Sequence, residues 1–494
     1  MKKVIASLLS VAMIAAMAGC NQPAQPTGSA SSETKSGESK PAETTTAGGE
    51  TTTTETTVKE SYGEGPVHIN MWSFTNEVPN MAKKYISLNP DFGKKYTIDV
   101  TIIATTNGTY QPALDAALKN GEVDLYAAEA AFVLKYAQGD AAQFAAAYKD
   151  LGIDVDKDLK DAEIAQYTVD IGTRPSDKAL VALGYQATGG AMIYRASIAK
   201  EVFGSDEAAT VEKEVGAGSG NYDTFWKAAE KLKAKGYPIV SGDGDVWHMV
   251  ENSSSSGWIV DGKLNIAPER QAFFDISKQL LDKGWSNETQ DWTPAWYADM
   301  KGVSQEGKDN KPAFCFFGPA WLINYVMVGN SGGEKAGEGT YGDWRVCKAP
   351  AGFFWGGTWV LGSKSAAENA DKKAGVAELI RWITLDATDK GLQYMWANGT
   401  FNGEGGTKDC VASGKVMATA DGKLDFLGGQ NMFPAFIAAN ANATGKNMTQ
   451  YDENINALFR EQVNQYAHGQ KSIDDAIKDF RSRVADKIGE DGSL

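Results

Sequence analysis

Apolar positions in this chain recur first with period two and then with helical period. Val67, Ile69 and Met71 alternate with polar neighbours, which predicts a half-buried strand. A helix is expected over residues 81–88, after which Ile98, Val100 and Ile102 mark a second strand, residues 110–119 a second helix and residues 123–126 a third, short strand. Strands alternating with helices in this way predict a βαβαβ unit of an α/β protein. Farther along, Phe225, Ala228, Ala229 and Leu232 keep helical spacing up to Gly236, and residues 238–240 restart a strand. Phe273, Ile276 and Leu280 then mark an amphipathic helix that stops at Gly284. A second α/β unit is expected from these. The last predicted helix carries Ile473, Ile477, Phe480, Val484 and Ile488, with Ser472 and Asp475 spaced as a capping pair ahead of it.

The N-terminal region follows neither period. Lys2 and Lys3 precede an apolar run over residues 4–18, shorter than the roughly 20 residues a bilayer-spanning helix needs. Residues 1–19 therefore read as a cleaved signal peptide. The run ends in Ala18-Gly19-Cys20, similar to the lipobox of bacterial lipoproteins, so Cys20 is expected to become the lipid-modified mature N-terminus. Residues 20–65, rich in Thr, Ser, Glu, Gly and Pro, have little with which to build a core, and a disordered tether is expected there. As a flexible coil it would reach about 35–40 Å from the lipid. The body that remains is too long for one ordinary core and predicts two lobes.

Composition narrows the function classes. Without Lys2 and Lys3 the chain has 46 basic and 63 acidic residues, a balance of −17, and lacks a long basic run, which argues against nucleic-acid binding. The mature cysteines after Cys20 are Cys315, Cys347 and Cys410, an odd number without C-x-x-C spacing, so buried free thiols are expected and no metal site or cofactor. The apolar stretch 313–328 is broken by Gly318-Pro319 and Asn324 and predicts no membrane span. Thirteen tryptophans are about twice the ordinary number for this length, and many stand beside Gly, Pro or polar residues. Core packing accounts for some of them. Taken together they suit a sugar site, because pyranose faces present C–H groups that need flat aromatic platforms while the hydroxyl rim needs carboxylates and amides.

Several segments carry a family resemblance. They are residues 67–77 with Trp72, residues 123–129 ending in Glu129, residues 184–195 with Tyr185 and Gln186, Phe316-Phe317-Gly318-Pro319-Ala320-Trp321, and Trp355-Gly356-Gly357-Thr358-Trp359 ahead of an expected helix over 372–385. With the lipobox and the order of segments, the chain resembles the extracellular carbohydrate-binding lipoproteins of bacterial ABC importers, the family 1 solute-binding proteins of the maltose-binding superfamily. The resemblance implies a two-lobed α/β fold of the type II periplasmic-binding kind with a ligand cleft between lobes. It implies a first lobe from residues 66–183 and 357–428, a second from 184–356 and 429–494, and hinges near 183–194 and 349–357. It also implies a monomeric receptor at the extracytoplasmic face that binds an oligosaccharide and passes it to permease subunits. The cleft residues implied are Trp72, Asn76, Glu77, Glu129, Phe132, Tyr185, Gln186, Asp245, Trp247, Trp321, Trp355, Trp359 and Tyr451, with an alanine inserted before Trp321.

Other readings of the same residues stand beside this one. Glu77 and Glu129 also suit helix N-termini, where the helix dipole favours negative charge. Asp243 and Asp245 could hold calcium, though without the donor run of an EF-hand. Paired carboxylates in an aromatic cleft also describe a glycoside hydrolase, and a tethered protein rich in tryptophan an adhesin. No Gly-x-Ser-x-Gly, His-Glu-x-x-His or phosphate-loop motif is present, and only His68, His248 and His468 could serve histidine-based catalysis.

Overall fold

The computed structural model describes residues 57–303 and 312–489. The signal peptide, Cys20 and the tether up to residue 56 lie outside the described residues. The described residues hold eleven strands: β1 (Val58–Tyr62), β2 (Val67–Ser73), β3 (Tyr96–Ile102), β4 (Leu125–Glu129), β5 (Ala182–Gly184), β6 (Ala191–Arg195), β7 (Ile259–Val260), β8 (Lys263–Leu264), β9 (Cys315–Gly318), β10 (Trp344–Cys347) and β11 (Thr358–Gly362).

Six of them form one sheet in the order β1-β3-β2-β4-β11-β5, a second sheet runs β10-β6-β9, and β7 pairs with β8 in a small ribbon. In the first sheet β3, β2 and β4 are parallel, as expected of βαβ units, and β11 returns antiparallel between β4 and β5. The alternation in β2 puts Ile69, Met71 and Ser73 in the core, and the helix Ala370–Thr384 packs on the same strand. The helix Tyr110–Lys119 has the expected bounds, the third strand is shifted to Leu125–Glu129, and residues 238–240 form only isolated bridges from Val240. At the C-terminus Ser472 Oγ accepts the Asp475 N–H (3.1 Å) and starts the helix Ile473–Ile488.

One boundary needs correction. Val58–Tyr62, inside the expected tether, is a strand that pairs antiparallel with β3 from Val58–Ile102 to Tyr62–Ile98, so the ordered body starts before residue 66. Val58 and Tyr62 at its ends with Lys59, Glu60 and Ser61 between them suit an exposed edge strand, which composition averaged over residues 20–65 concealed.

The chain passes from the first sheet to the second through residues 185–190 and returns through 348–357. These segments run antiparallel, the Gly190 N–H donating to the Phe353 carbonyl (2.8 Å) and the Trp355 N–H to that of Thr188 (3.1 Å). A Cβ on Gly190 would fall 1.9 Å from the Phe353 ring, so only glycine permits this approach. A third connection, residues 443–451, joins the helix Phe433–Asn442 to Asp452–Ala467.

Two hydrophobic cores result. The first gathers Ile69, Met71, Leu125, Val360 and Ile380, and the second Phe225, Leu232, Trp258, Phe459 and Phe480. Phe433 and Phe436, expected in the second lobe, belong to the first core, which also takes in Trp296, Leu322 and Trp344. Cys315, Cys347 and Cys410 are free and buried, as expected.

Candidate functional site

Glu129 ends β4, and the next N–H, from Ala130, donates to the Gly357 carbonyl (2.9 Å), so the first sheet meets the returning crossing segment at this carboxylate. Gly356 and Gly357 have φ of 68° and 113°, backbone that favours glycine, and they turn the chain between Trp355 and β11. A Cβ on Gly356 would lie 3.6 Å from the Trp321 indole and 3.7 Å from Glu129 Oε1. Carboxylate, glycine turn and indole thus border one small space.

The aromatic side of that space is a tryptophan cluster. Trp292 and Trp321 stack with planes 7° apart and centroids 6.0 Å apart, and Trp355 leans on both, at 5.7 and 4.8 Å. Trp321 Nε1 donates to the Trp355 carbonyl (3.0 Å). His248 stacks on Trp355 at 3.9 Å, and Trp296 lies behind Trp292 at 5.5 Å. Trp296 and Trp321 are buried, whereas Trp292 and Trp355 keep part of their surface open. Trp292 holds a φ of 67°, rare for a bulky residue, so the surrounding packing imposes its orientation.

Two groups of carboxylates face the first-lobe side. The Tyr185 hydroxyl donates to Glu77, and Gln186 Nε2 donates to Asp409 (2.8 Å). Burial raises the pKa of Glu77, against which the Tyr185 hydrogen bond acts, and burial lifts Asp409 to about 7. Glu129 accepts the Ala131 N–H at Oε2 (2.8 Å) but is still pushed up to about 7, chiefly by burial and further by the charge of Glu453. Glu453 is open to solvent although protein surrounds it on most sides, as expected in a cleft wall, and it too is raised to about 7, by burial first and then by Glu251.

Behind the tryptophans the second lobe holds a polar nest. Arg460 lies 3.7 Å from Asp243 and 3.8 Å from Asp291, and His248 lies 3.8 Å from Asp291 and 3.9 Å from Glu251. These separations are too long for hydrogen bonds. Both ring nitrogens of buried His248, and Asp291 Oδ1, lack a hydrogen-bond partner. Burial holds His248 down to about 4, so the imidazole is neutral at pH 7.

The structure therefore brings Glu77, Glu129, Tyr185, Gln186, Trp321 and Trp355 to the junction of the lobes. The alanine before Trp321 does not displace its indole from the site. Asn76 is exposed at the start of the helix Glu77–Leu88, beside Glu77 but without a side-chain capping bond.

The remaining candidates go elsewhere. Trp72 points opposite to Ile69 and Met71, as strand alternation requires, and with Asn70, Asp99 and Glu122 it lines a surface cavity of about 500 Å³ on the outer side of the first sheet. Phe132 is buried edge-on to Phe74 and Tyr136, and Trp359 is a core residue whose Nε1 donates to the Thr168 carbonyl (3.1 Å). Trp247 is wedged between Phe273 and Phe459 in the second core, because its helix Asp243–Ser253 turns that face inward and His248 toward the tryptophans. Asp245 accepts the N–H groups of Ser241 and Gly242 (3.1 and 3.0 Å) as a helix cap. Asp243 accepts from Ser277 Oγ (2.6 Å). Protein donors thus occupy both aspartates that the calcium alternative would use. Tyr451 is partly buried against the second core, and its hydroxyl accepts from Gln450 Nε2 (2.8 Å). Trp292, His248, Asp291, Asp409, Glu453 and Arg460 are additions, for which the acid–aromatic pair Asp291-Trp292 ahead of Pro294 was the available signal.

Residues 89–422 match the family model of the bacterial extracellular solute-binding proteins. The chain belongs to that family. Solved structures similar to this solute-binding protein include one described as an extracellular solute-binding protein of family 1, with a TM-score of 0.66 and 19% identity over 85% of this chain and 99% of that one. Another is the galacto-N-biose/lacto-N-biose I-binding protein of an ABC transporter from Bifidobacterium longum, solved with lacto-N-biose (TM-score 0.59, 18% identity, 87% and 99% covered). The cyclic α-maltosyl-1,6-maltose binding protein of Arthrobacter globiformis gives 0.57 and 15%, with 85% and 98% covered. No curated protein matches this chain in sequence. These likenesses bear out the two-lobed α/β fold. No helix among the described residues is long and apolar enough to cross a membrane.

Proposed function

We propose that this solute-binding protein is the sugar receptor of an ABC importer, capturing an oligosaccharide between its lobes and delivering it to the permease. The observation that carries the reading is the pairing of partly open Trp292 and Trp355 with Glu129 and Glu453 where the crossing segments meet. An indole face matches the C–H side of a pyranose, and the carboxylates accept its hydroxyls. The similar proteins described with bound or named sugars support this reading. The two crossing segments supply the hinge, and closure is stabilised by contacts made only when both lobes engage the ligand. The reading includes attachment through a lipid on Cys20, action as a monomer, a first lobe built on the six-stranded sheet and a second on the three-stranded one. Binding without turnover is part of it, since the family binds solutes. Calorimetry of the mature chain against xylo-, cello-, malto-, manno- and galacto-oligosaccharides, with product analysis of each mixture, tests it. Binding with intact sugar supports the receptor; released product would identify a glycosidase.

A further inference from the structure

The polar nest has spare hydrogen-bonding capacity of both signs. Asp243 accepts from Ser277 Oγ (2.6 Å) and Glu251 from Asn456 Nδ2 (2.6 Å), so protein donors already occupy these two acids. Asp291 Oδ1 and both ring nitrogens of His248 are buried without a partner, and among the described residues Arg460 comes no nearer than 3.7 Å to a carboxylate. A neutral imidazole carries one N–H and one acceptor nitrogen, and a guanidinium carries only donors. Donors and acceptors therefore stand side by side, unspent on each other. Gly244 permits the arrangement, since a Cβ there would fall 2.5 Å from the Asp291 carboxylate and 2.8 Å from Arg460 Nη2. The nest is also open. The Arg460 side chain keeps 32% of its surface, and Arg460 follows Glu453 of the cleft wall by two helical turns, on one face of the helix Asp452–Ala467 with partly open Ala457 between them. Asp291 directly precedes Trp292, and His248 stacks on Trp355 at 3.9 Å, so the nest borders both partly open indoles.

We infer that Asp291 and Arg460, backed by His248, form a hydroxyl-reading subsite that takes neighbouring unsubstituted hydroxyls of an uncharged sugar ring lying against Trp292 and Trp355. This deepens the sugar-receptor reading above and rests on it. Arg460 and Asp291 are 3.8 Å apart, a gap that one hydroxyl bridges with bonds of about 2.8 Å to each, accepting from the guanidinium and donating to the carboxylate. The adjacent hydroxyl can donate to His248 or accept from it, because the imidazole offers both roles. With Arg460 set between two aspartates, an acidic group would meet the carboxylates and a cationic group the guanidinium, so an uncharged hydroxyl suits both. A sugar lacking that hydroxyl leaves buried groups unpaired in the complex, the condition under which a polar site rejects a deoxy analogue.

The test is calorimetry of the mature chain against xylo-, cello-, malto-, manno- and galactotetraose, followed by single-deoxy forms of the tetrasaccharide that binds most tightly. One deoxy position should cost the wild type about tenfold or more, and Asp291→Ala and Arg460→Met should each weaken the parent sugar by a similar factor while losing little further at that same position. Thermal melts show that the variants are folded. The wild type gives a second reading, because the chain has only three histidines: in spectra of ¹⁵N-histidine-labelled protein the ring nitrogens of His248 should move when the sugar saturates the site, whereas those of exposed His68 and His468 stay in place. Wild-type affinity in both folded variants, or His248 nitrogens that do not move, overturns the subsite and leaves the sugar receptor standing; if neither variant folds, the wild-type spectrum decides. Binding of none of the five tetrasaccharides, with the chain folded, overturns both.

Discussion

Trp355 and Trp247 separate ligand contact from packing. Trp355 keeps part of its surface open while resting on His248, Trp321 and Trp292. A pyranose covering about 60–80 Å² of that indole removes it from water at ~25 cal/mol per Å², or ~1.5–2 kcal/mol. The ring pairs it makes within the protein are worth ~0.5–1.5 kcal/mol each beyond area and are lost in the free and bound states alike. Trp355→Ala should thus weaken binding by about 2 kcal/mol, or ~30-fold, at a comparable cost in stability. Trp247 is 2% exposed between Phe273 and Phe459, so Trp247→Ala should cost ~3–5 kcal/mol of stability. Its affinity for the same ligand, measured below the melting range, should change little. Calorimetry and denaturant unfolding on both variants provide the assay. Unchanged affinity in Trp355→Ala, or a large affinity loss with normal stability in Trp247→Ala, would refute the placement of the site.

Further outcomes follow from the same geometry. Trp382→Ala should lower stability by ~3–5 kcal/mol with affinity preserved, since Trp382 packs on Tyr85 (4.9 Å) and donates to the Lys390 carbonyl (2.9 Å) within the first lobe; thermal melts and calorimetry check it. Glu129 and Asp409 hold their protons up to about 7 when folded, far above ordinary carboxylates, so the stability they contribute is fully present below pH about 4 and is lost as pH rises through about 7. Melts of the unliganded chain should accordingly move to higher temperature from pH 8 to pH 6, with a flatter slope in Glu129→Gln/Asp409→Asn. Gln450 reaches across to Asp140 with bonds of 2.9 and 3.1 Å, so Gln450→Ala should shift the unliganded chain toward larger dimensions in scattering, an effect abolished by saturating ligand. Cys20→Ala should release the protein from membranes in a fractionation experiment; a variant still membrane-bound and cut at the same place would contradict lipidation.

Periodicity made most of the first sheet legible. Val67, Ile69 and Met71 announce β2 because one face is buried, and the same rule places Trp72 on the other face, away from the cleft, which the family resemblance had obscured. Gly356 and Gly357 mark a turn beside which Trp355 stays partly open, and two residues beyond them Trp359 goes into the core. Trp247 and His248 are adjacent in sequence yet face different surroundings, since successive helical residues point about 100° apart. A tryptophan beside acidic residues is thus equally compatible with wall and core until helix rotation is known. Asp409, Glu453 and Arg460 were hidden because each enters the site from a late segment, and no local pattern records contacts between residues so far apart in the chain.

The sheet order gives the proposed anchor mechanical meaning. β1, the strand that the leash joins, occupies one border of the six-stranded sheet, while β5 and β11, which feed the crossings, lie at the other side. With neighbouring strands ~4.8 Å apart, the point of attachment and the β5 border are roughly 24 Å from each other. A pull through the proposed anchor would therefore enter the first sheet through the hydrogen bonds between β1 and β3 and leave the hinge unloaded. An anchor joined ahead of β1 would moor the first lobe and leave the second to swing about the crossing segments.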